Sequence, residues 1–312
     1  MTLMMFGDVN LGRQLGRDIL KGQVDYPFEK MKPILRNADA VFINLESPIS
    51  DQHGETESPQ SNFVFCAPPA AATVLTRGGI SIVSTANNHA FDYSLHGLRE
   101  TIAYLDSEHI RHVGTSEDSA RGCLPAIMNV HGISVGFLAY TQFVNAAGPW
   151  KGRIALFDSV QAKKDIRQLK KKVDFVIVSF HGGKEYAEEP DKRTRRQLES
   201  LSRAGADIVV GHHPHVPQGI ESNQHKLIFW SLGNFVFNQA EPWGKRSFGV
   251  ELTIAKRRDT TTVQSVHLIP FRPYQQPIPG LPQPELDSLV VRLRNHSNTN
   301  IVLRNDSLFV AK

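Results

Sequence analysis

An apolar run that ends in a group of histidines stands in the second half of the chain, at Ile208–His215, and reads IVVGHHPH. Continuous apolar runs of about four to eight residues are typical of strands that are buried on both faces of a sheet. We therefore predict a buried strand at Ile208–Gly211. Similar runs predict further strands at Thr2–Phe6, Ala40–Leu45, Ile80–Ser84, Ile133–Tyr140, Phe175–Phe180 and Leu227–Ser231.

Segments with helical periodicity lie between several of these strands. Strands that alternate with helices predict a mostly parallel sheet that is covered on both faces. The fold class that we expect is α/β, a layered arrangement of central, partly parallel β-sheets flanked by helices. The predicted helices are Leu11–Lys21, Ala70–Arg77, Leu95–Glu108, Val160–Lys171, Lys192–Ala204 and Glu285–Asn295.

Towards the end of the chain the pattern changes. Two alternating runs, Val250–Ile254 and Thr262–Ile269, predict a hairpin with a charged connection. The next segment, Pro270–Pro284, holds many of the chain's 18 prolines and cannot form a regular helix. We expect a main domain at residues 1–270 and a proline-rich extension at residues 271–312 that packs on it.

Side chains that can bind metal ions or transfer protons follow five of the predicted strands. Because the carboxyl ends of parallel strands meet at one edge of a sheet, we expect these side chains to converge. Carboxylate oxygens and neutral imidazole nitrogens suit Mn, Zn, Fe or similar divalent ions, and the near absence of thiolates argues against a structural zinc finger. The sequence thus predicts an open, catalytic metal site. The five groups hold Asp8 and Asn10, then Glu46, then Asn88, His89 and Asp92, then His181, and last His213 and His215.

The residue types suggest separate roles within this site. Asp8 and Glu46 would neutralise metal charge, and a carboxylate between two ions about 3.5 to 4 Å apart can bridge them. A neighbouring amide, that of Asn88, would offer a neutral oxygen. His213 and His215 could direct both rings to one ion, or one ring to each of two ions. The intervening His212 would then point away and be structural.

His89 follows the candidate ligand Asn88 directly, which is a useful position for a general acid. Asp92, three residues later, could hold the ring of His89 and raise its basicity. Equally, Asp92 could cap a helix that begins near Ser94. The two roles are compatible.

Composition excludes several classes of protein. With 35 basic and 31 acidic residues the net charge is only +4, and basic patches interleaved with aromatic residues are lacking, which argues against a nucleic-acid-binding protein. Cys66 and Cys123 form no CxxC pair, and we predict that both fill the core. No apolar run reaches the roughly 18 to 20 residues that span a bilayer. We expect a cytoplasmic protein without a transmembrane segment.

Taken in order, the polar groups resemble the motifs of the bacterial capsule-synthesis CapA proteins. These are also described as poly-γ-glutamate biosynthesis proteins and form a branch of the calcineurin-like metallophosphoesterase fold. Each motif alone is weakly specific, but six in the same order are strongly so. The motifs are GDVNLGR at Gly7–Arg13, NLESPIS at Asn44–Ser50, STANNHAFDYSLHGL at Ser84–Leu98, SFHGGKEY at Ser179–Tyr186, GHHPHVPQGIE at Gly211–Glu221 and SLGNFVF at Ser231–Phe237.

The resemblance implies one or two divalent ions (Mn, Zn, Fe or Mg), His89 as the acid, and residues that contact the substrate. Two departures stand out. Asn10 replaces the histidine that usually binds the first ion, which weakens that ion's site. Gly182 replaces the usual tryptophan, which would widen the pocket. The implied metal ligands are Asp8, Glu46, Asn88, His181, His213 and His215, and the expected substrate-side residues are Asn10, Arg13, Glu185 and Tyr186.

Two hypotheses for function follow from the resemblance. The first is a metal-dependent, metallophosphoesterase-like hydrolase that acts on an anionic small molecule or polymer, either a phosphoester or a γ-glutamyl substrate, in capsule or poly-γ-glutamate biosynthesis. The second is a non-catalytic accessory protein that binds an anionic polymer within a capsule-synthesis complex. His89 beside the ligand Asn88 favours catalysis.

Overall fold

Strands and helices alternate along most of the chain in the computed structural model, which describes residues 1–119, 122, 124–223, 226–258, 260–304 and 307–311. The strands are β1 Thr2–Val9, β2 Ala40–Leu45, β3 Glu57–Ser58, β4 Ser61–Phe65, β5 Ile82–Ser84, β6 Arg111–Val113, β7 Ala126–Val130, β8 Ile133–Thr141, β9 Phe175–His181, β10 Ile208–His212, β11 Ile220–Asn223, β12 Lys226–Phe229, β13 Asn234–Val236, β14 Ser247–Arg257, β15 Thr260–Arg272, β16 Ile278–Pro279, β17 Ile301–Arg304 and β18 Ser307–Val310. The helices are α1 Arg13–Leu20, α2 Lys32–Leu35, α3 Ala71–Arg77, α4 Ser94–Ser107, α5 Ser159–Lys170, α6 Lys192–Ala204 and α7 Gln283–His296, and a 3₁₀ turn covers Pro242–Lys245.

The strands form two large sheets and a short β3–β4 hairpin. The larger sheet has the order β17-β18-β15-β14-β1-β2-β5-β6, with β13 beside β1 and β16 beside β15. The smaller sheet has the order β11-β12-β10-β9-β8-β7, and its four central strands are parallel. The expected α/β class with partly parallel sheets is therefore confirmed. The strands divide into two mixed sheets because the long β14–β15 hairpin adds antiparallel strands beside β1.

Two hydrophobic clusters pack the sheets and helices into layers. Leu3 and Met5 of β1 belong to the cluster between the sheets, whereas Met4 belongs to the cluster under α1 and α3. Phe42 of β2 stacks on Phe137 of β8, with ring centroids 5.8 Å apart, which joins the sheets face to face. Helices α5 and α6 pack on the smaller sheet. The central strands are thus buried on both sides, which accounts for their continuous apolar runs.

Several strands run further than their apolar residues predict. The first strand continues past Phe6, so that Asp8 lies within β1, and β9 includes His181. These polar residues pair with neighbouring strands and do not begin loops. A side chain at Gly7 would place its Cβ 1.7 Å from the carbonyl oxygen of Gly233, so only glycine permits the close approach of this chain segment to β1.

The C-terminal residues extend the larger sheet. The hairpin strands β14 and β15 are longer than the alternating runs predicted, and β18 pairs with β15 through Leu268 and Leu308. The last helix, α7, begins at Gln283, with Pro284 in its first turn, where proline is tolerated. Within the described ranges, none of the helices has the length and apolar character needed to cross a membrane.

Candidate metal centre

The carboxyl ends of strands from both sheets meet at one edge of the molecule. In the larger sheet, Asp8 of β1 lies beside Asn44 of β2 and Asn234 of β13. In the smaller sheet, His181 of β9 lies beside His212 of β10. The loops that follow β2, β5 and β10 add Glu46, Asn88, His213 and His215.

Three overlapping groups of potential metal ligands lie at this edge, and the ligand atoms of each group are within 4.8 Å of one another. Glu46 belongs to two of the groups. Its Oε1 lies 3.7 Å from Nε2 of His181 and 3.7 Å from Nε2 of His215. A carboxylate that bridges two ions would occupy such a central position. The groups are Glu46 with His181 and His213, Asp8 with Glu46 and His215, and Glu185 with His213 and His215.

Glu46 presents a carboxylate that is buried beside His181 and His215. Both of its oxygens are buried and have no hydrogen-bond partner among the described residues. Burial and the charges of Asp8 and Glu185 raise the pKa of the Glu46 carboxyl well above its ordinary value. Leaving a carboxylate in such a position is costly unless a cation accompanies it. The residues present therefore fit a divalent ion.

Two histidines of the cluster, His181 and His213, have the neutral character of metal ligands, whereas contacts with Asp8 outweigh burial and raise the pKa of His215. Burial and the neighbouring imidazole of His213 lower the pKa of His181 well below its ordinary value. Burial and the charge of His215 lower the pKa of His213 to about 3. Both rings are therefore neutral at physiological pH, the form in which imidazole binds metal. In addition, Nδ1 of His213 is buried without a hydrogen-bond partner in the described chain.

Asp8 is held in its charged form by its neighbours. Burial raises the pKa of the Asp8 carboxyl, but contacts with His212 and His215 lower it well below the ordinary value. Nδ1 of His212 lies 3.3 Å from Oδ1 of Asp8, so this ring faces the cluster, and the expectation that it points away was wrong. The cause is that His212 ends strand β10, whose side chains alternate, and its ring reaches back to β1. The backbone N–H of His213 also donates to Oδ2 of Asp8, at 3.2 Å.

Two buried amides, those of Asn44 and Asn234, contact the predicted ligands. Both residues lie within the sequence motifs, but the sequence did not indicate this role. Asn44 donates from Nδ2 to Oδ1 of Asp8 at 2.8 Å, and the same Nδ2 lies 3.2 Å from Nδ1 of His181. Asn234 places Oδ1 2.8 Å from Nδ1 of His215, which leaves the Nε2 of that ring to face Glu46. Such contacts to a ligand's second nitrogen fix its ring orientation.

Asn88 lies against the cluster through its contact with His181. Its Oδ1 is 2.7 Å from Nε2 of His181, so the two predicted ligands face each other. The side chain is almost fully buried. Asn88 therefore reaches the same space as His181, and its carbonyl oxygen is the atom that it can offer to an ion.

His89 and Asp92 form a buried pair beside the cluster. Nδ1 of His89 lies 2.8 Å from Oδ2 of Asp92, which also accepts the backbone N–H of Phe65 at 2.8 Å. The Phe65 ring stacks on the His89 ring, with centroids 4.1 Å apart. Helix α4 begins at Ser94 without a side-chain cap, so Asp92 orients His89 and does not cap the helix. The contact at Nδ1 leaves Nε2 as the ring nitrogen that Asp92 does not hold.

Residues 2–239 match the family described as "Bacterial capsule synthesis protein PGA_cap". The chain belongs to this family. The "Capsule biosynthesis protein CapA" of Bacillus anthracis is 32% identical over 247 residues, which cover 77% of this chain and 60% of that protein. The chain therefore spans about three fifths of the length of that relative.

Two further comparisons cover most or nearly all of the chain. The "Probable polyglutamine synthesis accessory protein" of Mycobacterium tuberculosis is 25% identical over 328 residues, covering 97% of this chain and 85% of that protein. A hypothetical protein from Thermus thermophilus has a similar structure, with a TM-score of 0.54 at 16% identity, covering 88% of this chain and 100% of that one. The second likeness shows a shared fold.

This member of the capsule synthesis family carries Asn10 where the resemblance led us to expect a histidine ligand. Oδ1 of Asn10 accepts the N–H of Gly12 at 2.8 Å, while Nδ2 is buried with no partner in the described residues. Asn10 lines a cavity of about 390 Å³, together with Arg13 and Phe237. The Phe237 ring lies 4.7 Å from the ring of His215, so this cavity adjoins the candidate metal centre. We call it the substrate-side cavity.

The other three residues expected on the substrate side surround the centre. Arg13 places its guanidinium 4.4 Å from the centroid of the Phe65 ring. Tyr186 is 42% exposed and its ring lies 6.4 Å from that of His215. Glu185 is exposed yet forms a potential ligand group with His213 and His215, a second role that its position in the motif did not indicate.

Gly182, the second departure from the family motif, does not leave an open space. A Cβ at this position would lie 2.7 Å from Cδ of Gln142. Gln142 is held there because its Oε1 accepts the N–H of Gly183 at 3.0 Å and its Nε2 donates to Thr194 at 3.1 Å. The expectation of a wider pocket at this point was therefore wrong, because Gln142 fills the space.

Strained backbone conformations occur in the turn after β10 and on the substrate side of the centre. Arg13, Tyr186, His213 and His215 all have positive φ angles, of 55°, 60°, 92° and 58°. A non-glycine residue in this region costs about 1 to 3 kcal/mol and persists only where its surroundings impose it. The strained turn after β10 is what turns both histidine rings towards Glu46.

The cysteines do not contribute to the centre where the structure describes them. Cys66 is fully buried, its Sγ donates to the carbonyl of Ser50 at 3.4 Å, and burial raises the pKa of its thiol to about 12. A thiol of this kind is an inert core residue. Cys123 lies outside the described residues.

Proposed function

We propose that this chain is a metal-dependent hydrolase of the capsule synthesis family that acts on an anionic substrate. The observation that carries the proposal is the buried carboxylate of Glu46, which has no hydrogen-bond partner among the described residues and lies 3.7 Å from Nε2 of His181 and of His215. Sites that keep such a charge uncompensated are costly to maintain, and a catalytic ion accounts for the cost.

The proposed ligands are Asp8, Glu46, Asn88, His181, His213 and His215, for one or two ions of Mn, Zn, Fe or Mg. An ion held there would supply Lewis-acid polarisation of a phosphoryl or carbonyl oxygen. Glu46, shared by two of the ligand groups, is the proposed bridge when two ions are present. Asn10, which lines the substrate-side cavity, is assigned to the substrate.

His89 is the proposed general acid. Asp92 holds its Nδ1, and the stacked Phe65 ring fixes its plane, so that Nε2 can give a proton to a leaving group. The substrate's anionic groups would contact Asn10 and Arg13 in the substrate-side cavity. Glu185 and Tyr186 would contact the substrate from the loop that follows β9.

The family description and the CapA relative direct the choice of substrate. Capsule polymers of the poly-γ-glutamate type are anionic, which agrees with the donors of the substrate-side cavity. We propose a γ-glutamyl or phosphoester substrate in capsule or poly-γ-glutamate biosynthesis. We also propose that residues 1–270 form the catalytic domain and that residues 271–312 form an extension packed on it.

Elemental analysis followed by a substrate panel tests the proposal. Protein with added manganese would be assayed on phosphomonoesters, phosphodiesters and γ-glutamyl peptides, beside the Glu46→Gln variant. We expect bound metal in the wild type, turnover of at least one class, and loss of that turnover in Glu46→Gln. A wild-type protein that binds no metal, or turnover unchanged in Glu46→Gln, contradicts the proposal.

A non-catalytic accessory role is the second candidate, and the accessory protein of Mycobacterium tuberculosis is the finding that favours it. This role requires polymer binding without turnover. Binding of poly-γ-glutamate by metal-loaded protein that hydrolyses no member of the panel would support it. The orientation of His89 by Asp92 favours the enzyme, because a binding protein has no need of a positioned acid.

A further inference from the structure

A second and larger cavity lies away from the metal centre, where the C-terminal segment crosses the main body. Its volume is about 560 Å³, within the range of about 300 to 1,000 Å³ that small-molecule sites occupy. Tyr274 and Gln276 line it, whereas Gln275 between them lines the substrate-side cavity. The segment Pro273–Gln276 is therefore a shared wall of the two cavities. We call the larger one the C-terminal cavity.

Positive charge dominates the C-terminal cavity. Lys30, Lys245, Arg246 and Arg272 line it, against one carboxylate, that of Glu285. Glu285 is already paired, because its Oε2 accepts from Nε of Arg272 at 3.0 Å and its Oε1 accepts from the same guanidinium. The two lysines and Arg246 form no salt bridge with any described residue. Like charges gathered in one concavity are unfavourable until an anion joins them.

Arg246 is fixed in place but incompletely satisfied. Its guanidinium lies 5.0 Å from the centroid of the Trp243 ring, and one terminal nitrogen donates to the carbonyl of Pro242 at 3.0 Å. On the same ring, Arg292 lies 4.3 Å from the centroid. Nε of Arg246, however, is buried without an acceptor in the described chain. A buried charged donor without an acceptor is costly, and an anion in the cavity would relieve the cost.

The walls of the C-terminal cavity also carry apolar and aromatic side chains. Tyr274 is 49% exposed and Ile278 is 43% exposed, and both belong to the large hydrophobic side chains that the fold leaves uncovered. Tyr26 faces the same space from the main body. The segment is anchored to that body because Gln276 donates to the carbonyl of Tyr26 at 2.8 Å. The cavity thus places aromatic faces beside Lys30, Lys245 and Arg246, which form no salt bridge in the described part of the chain.

We infer that the C-terminal cavity binds an organic anion, a carboxylate or phosphate carried on an apolar or aromatic body. Lys245 and Arg246 hold the anionic group, while Tyr274 and Ile278 cover the apolar part. This binding does not use the metal centre and stands whether or not the protein is a hydrolase. Because the two cavities share a wall, the anion is either a separate small molecule or a further part of a polymer bound at the metal centre.

Phenylphosphonate is a suitable probe, since it carries the anion and the ring and cannot be hydrolysed as an ester. Its binding to the full chain would be measured by calorimetry with metal present and again with chelator. Methylphosphonate, which lacks the ring, is the matched probe. We expect one saturable site for phenylphosphonate that persists in chelator and in Glu46→Gln, and binding of methylphosphonate to that site that is weaker by about threefold or more.

Two charge reversals distinguish specific binding in the cavity from a general effect of net charge. Lys245→Glu should weaken phenylphosphonate binding roughly tenfold or more, because it replaces a contacting cation. Lys164→Glu, an exposed position on α5, changes the net charge equally and should alter binding by less than about twofold. Tyr274→Ala should weaken phenylphosphonate binding and leave methylphosphonate binding unchanged. Unchanged methylphosphonate binding also shows that the variant is folded.

Three results would overturn the inference: no saturable binding, binding abolished by chelator or by Glu46→Gln, or equal weakening by the two charge reversals. Competition then identifies the source of the anion. Displacement of phenylphosphonate by long poly-γ-glutamate but not by glutamate supports a cavity that holds a polymer unit. Retention against both supports a cavity for a separate small anion.

Discussion

At the scale of single residues, the proposed metal centre rests most on Glu46, whose buried oxygens have no hydrogen-bond partner among the residues described. Glu46→Gln keeps the shape of the side chain and removes the charge. We expect the variant to lose bound metal. In chelator it should be as stable as the wild type or more stable by about 1 to 3 kcal/mol, because the uncompensated carboxylate is gone.

Elemental analysis and thermal unfolding, each with and without chelator, check this expectation. Glu185→Gln is the control, since this carboxylate is exposed and contributes to one ligand group only. With metal present the wild type should be the more stable protein, since about 2.7 kcal/mol accompanies an ion at a hundredfold excess over Kd. A chelated Glu46→Gln protein that is markedly less stable than chelated wild type would show that Glu46 is compensated by the protein itself.

Adjacent residues should fail in different ways if Asn88 binds an ion and His89 donates a proton. Asn88→Ala should weaken one ion's occupancy, so that excess metal restores part of the activity. His89→Ala should keep its metal and lose on the order of 10² to 10⁴ in turnover. The loss should shrink with a nitrophenolate leaving group, which needs no protonation. If the His89→Ala protein binds no metal, His89 is a ligand. If its turnover of substrates with poor leaving groups is unchanged, His89 has no part in the reaction.

At the scale of elements, the β3–β4 hairpin links the substrate side to the proposed acid. Phe65 at its end lies between two groups, because the Arg13 guanidinium is 4.4 Å from its ring and the His89 ring is stacked at 4.1 Å. Phe65→Leu keeps much of the apolar volume and the N–H that holds Asp92. We expect turnover to fall about tenfold while metal content stays constant, because His89 loses its aromatic support.

Phe63→Leu on the same strand is the matched control, since Phe63 is 74% exposed to solvent. Measurement of kcat, KM and metal content for both variants distinguishes positioning from metal binding. Equal effects of the two substitutions would exclude a positioning role for Phe65, and loss of metal in Phe65→Leu would place its effect at the centre itself.

The same hairpin shows what sequence could and could not predict. Buried strands such as β9 and β10 were predictable because continuous apolar runs report burial on both faces. Strand β4 was not, because its residues Ser61–Phe65 are mostly exposed or half-buried and show no such run. The division into two sheets depends on which strands pair, and pairing between β1 and β14 joins residues that are far apart in the sequence, as in Thr2 beside Thr253. No local pattern encodes that pairing.

The candidate centre was predictable in its residue types and less so in its geometry. Strand-end placement indicated that Asp8, Glu46 and the later histidines converge, since parallel strands share an edge. The ring directions were not predictable, because they depend on the positive φ angles of His213 and His215. The strain in that turn is imposed by tertiary contacts such as the bond from His213 N–H to Asp8.

At the scale of the whole molecule, the two sheets are tied together at both ends. At the carboxyl edge, Asp8 and Glu46 come from the larger sheet, and the clustered histidines come from the smaller one. At the opposite edge, Asp174 before β9 lies 2.8 Å from Nζ of Lys256 on β14. The same carboxylate accepts the N–H and the hydroxyl of Ser134, each at 2.8 Å. The proposed ion and this salt bridge would thus hold the same pair of sheets from opposite sides.

The salt bridge predicts how stability depends on pH. Bonds from Lys256 and Ser134 lower the pKa of Asp174 from 3.8 to about 2. Because the folded state binds this proton more weakly than the unfolded state, the stabilisation is complete above about pH 4 and is lost as pH falls towards about 2. Asp174→Asn should therefore reduce the free energy of unfolding at pH 5 to 7 by about 1 kcal/mol, a value discounted because both partners are partly exposed to solvent. Urea unfolding of chelated protein between pH 3 and 7 measures this free energy, and the curves of variant and wild type should converge as pH falls.

Asp287→Asn, at an exposed carboxylate on α7, is the control and should run parallel to the wild type. A constant difference in the free energy of unfolding between Asp174→Asn and wild type across the whole range would mean that the side chain stabilises the fold through its hydrogen bonds to Ser134. Its ion pair with Lys256 would then contribute nothing.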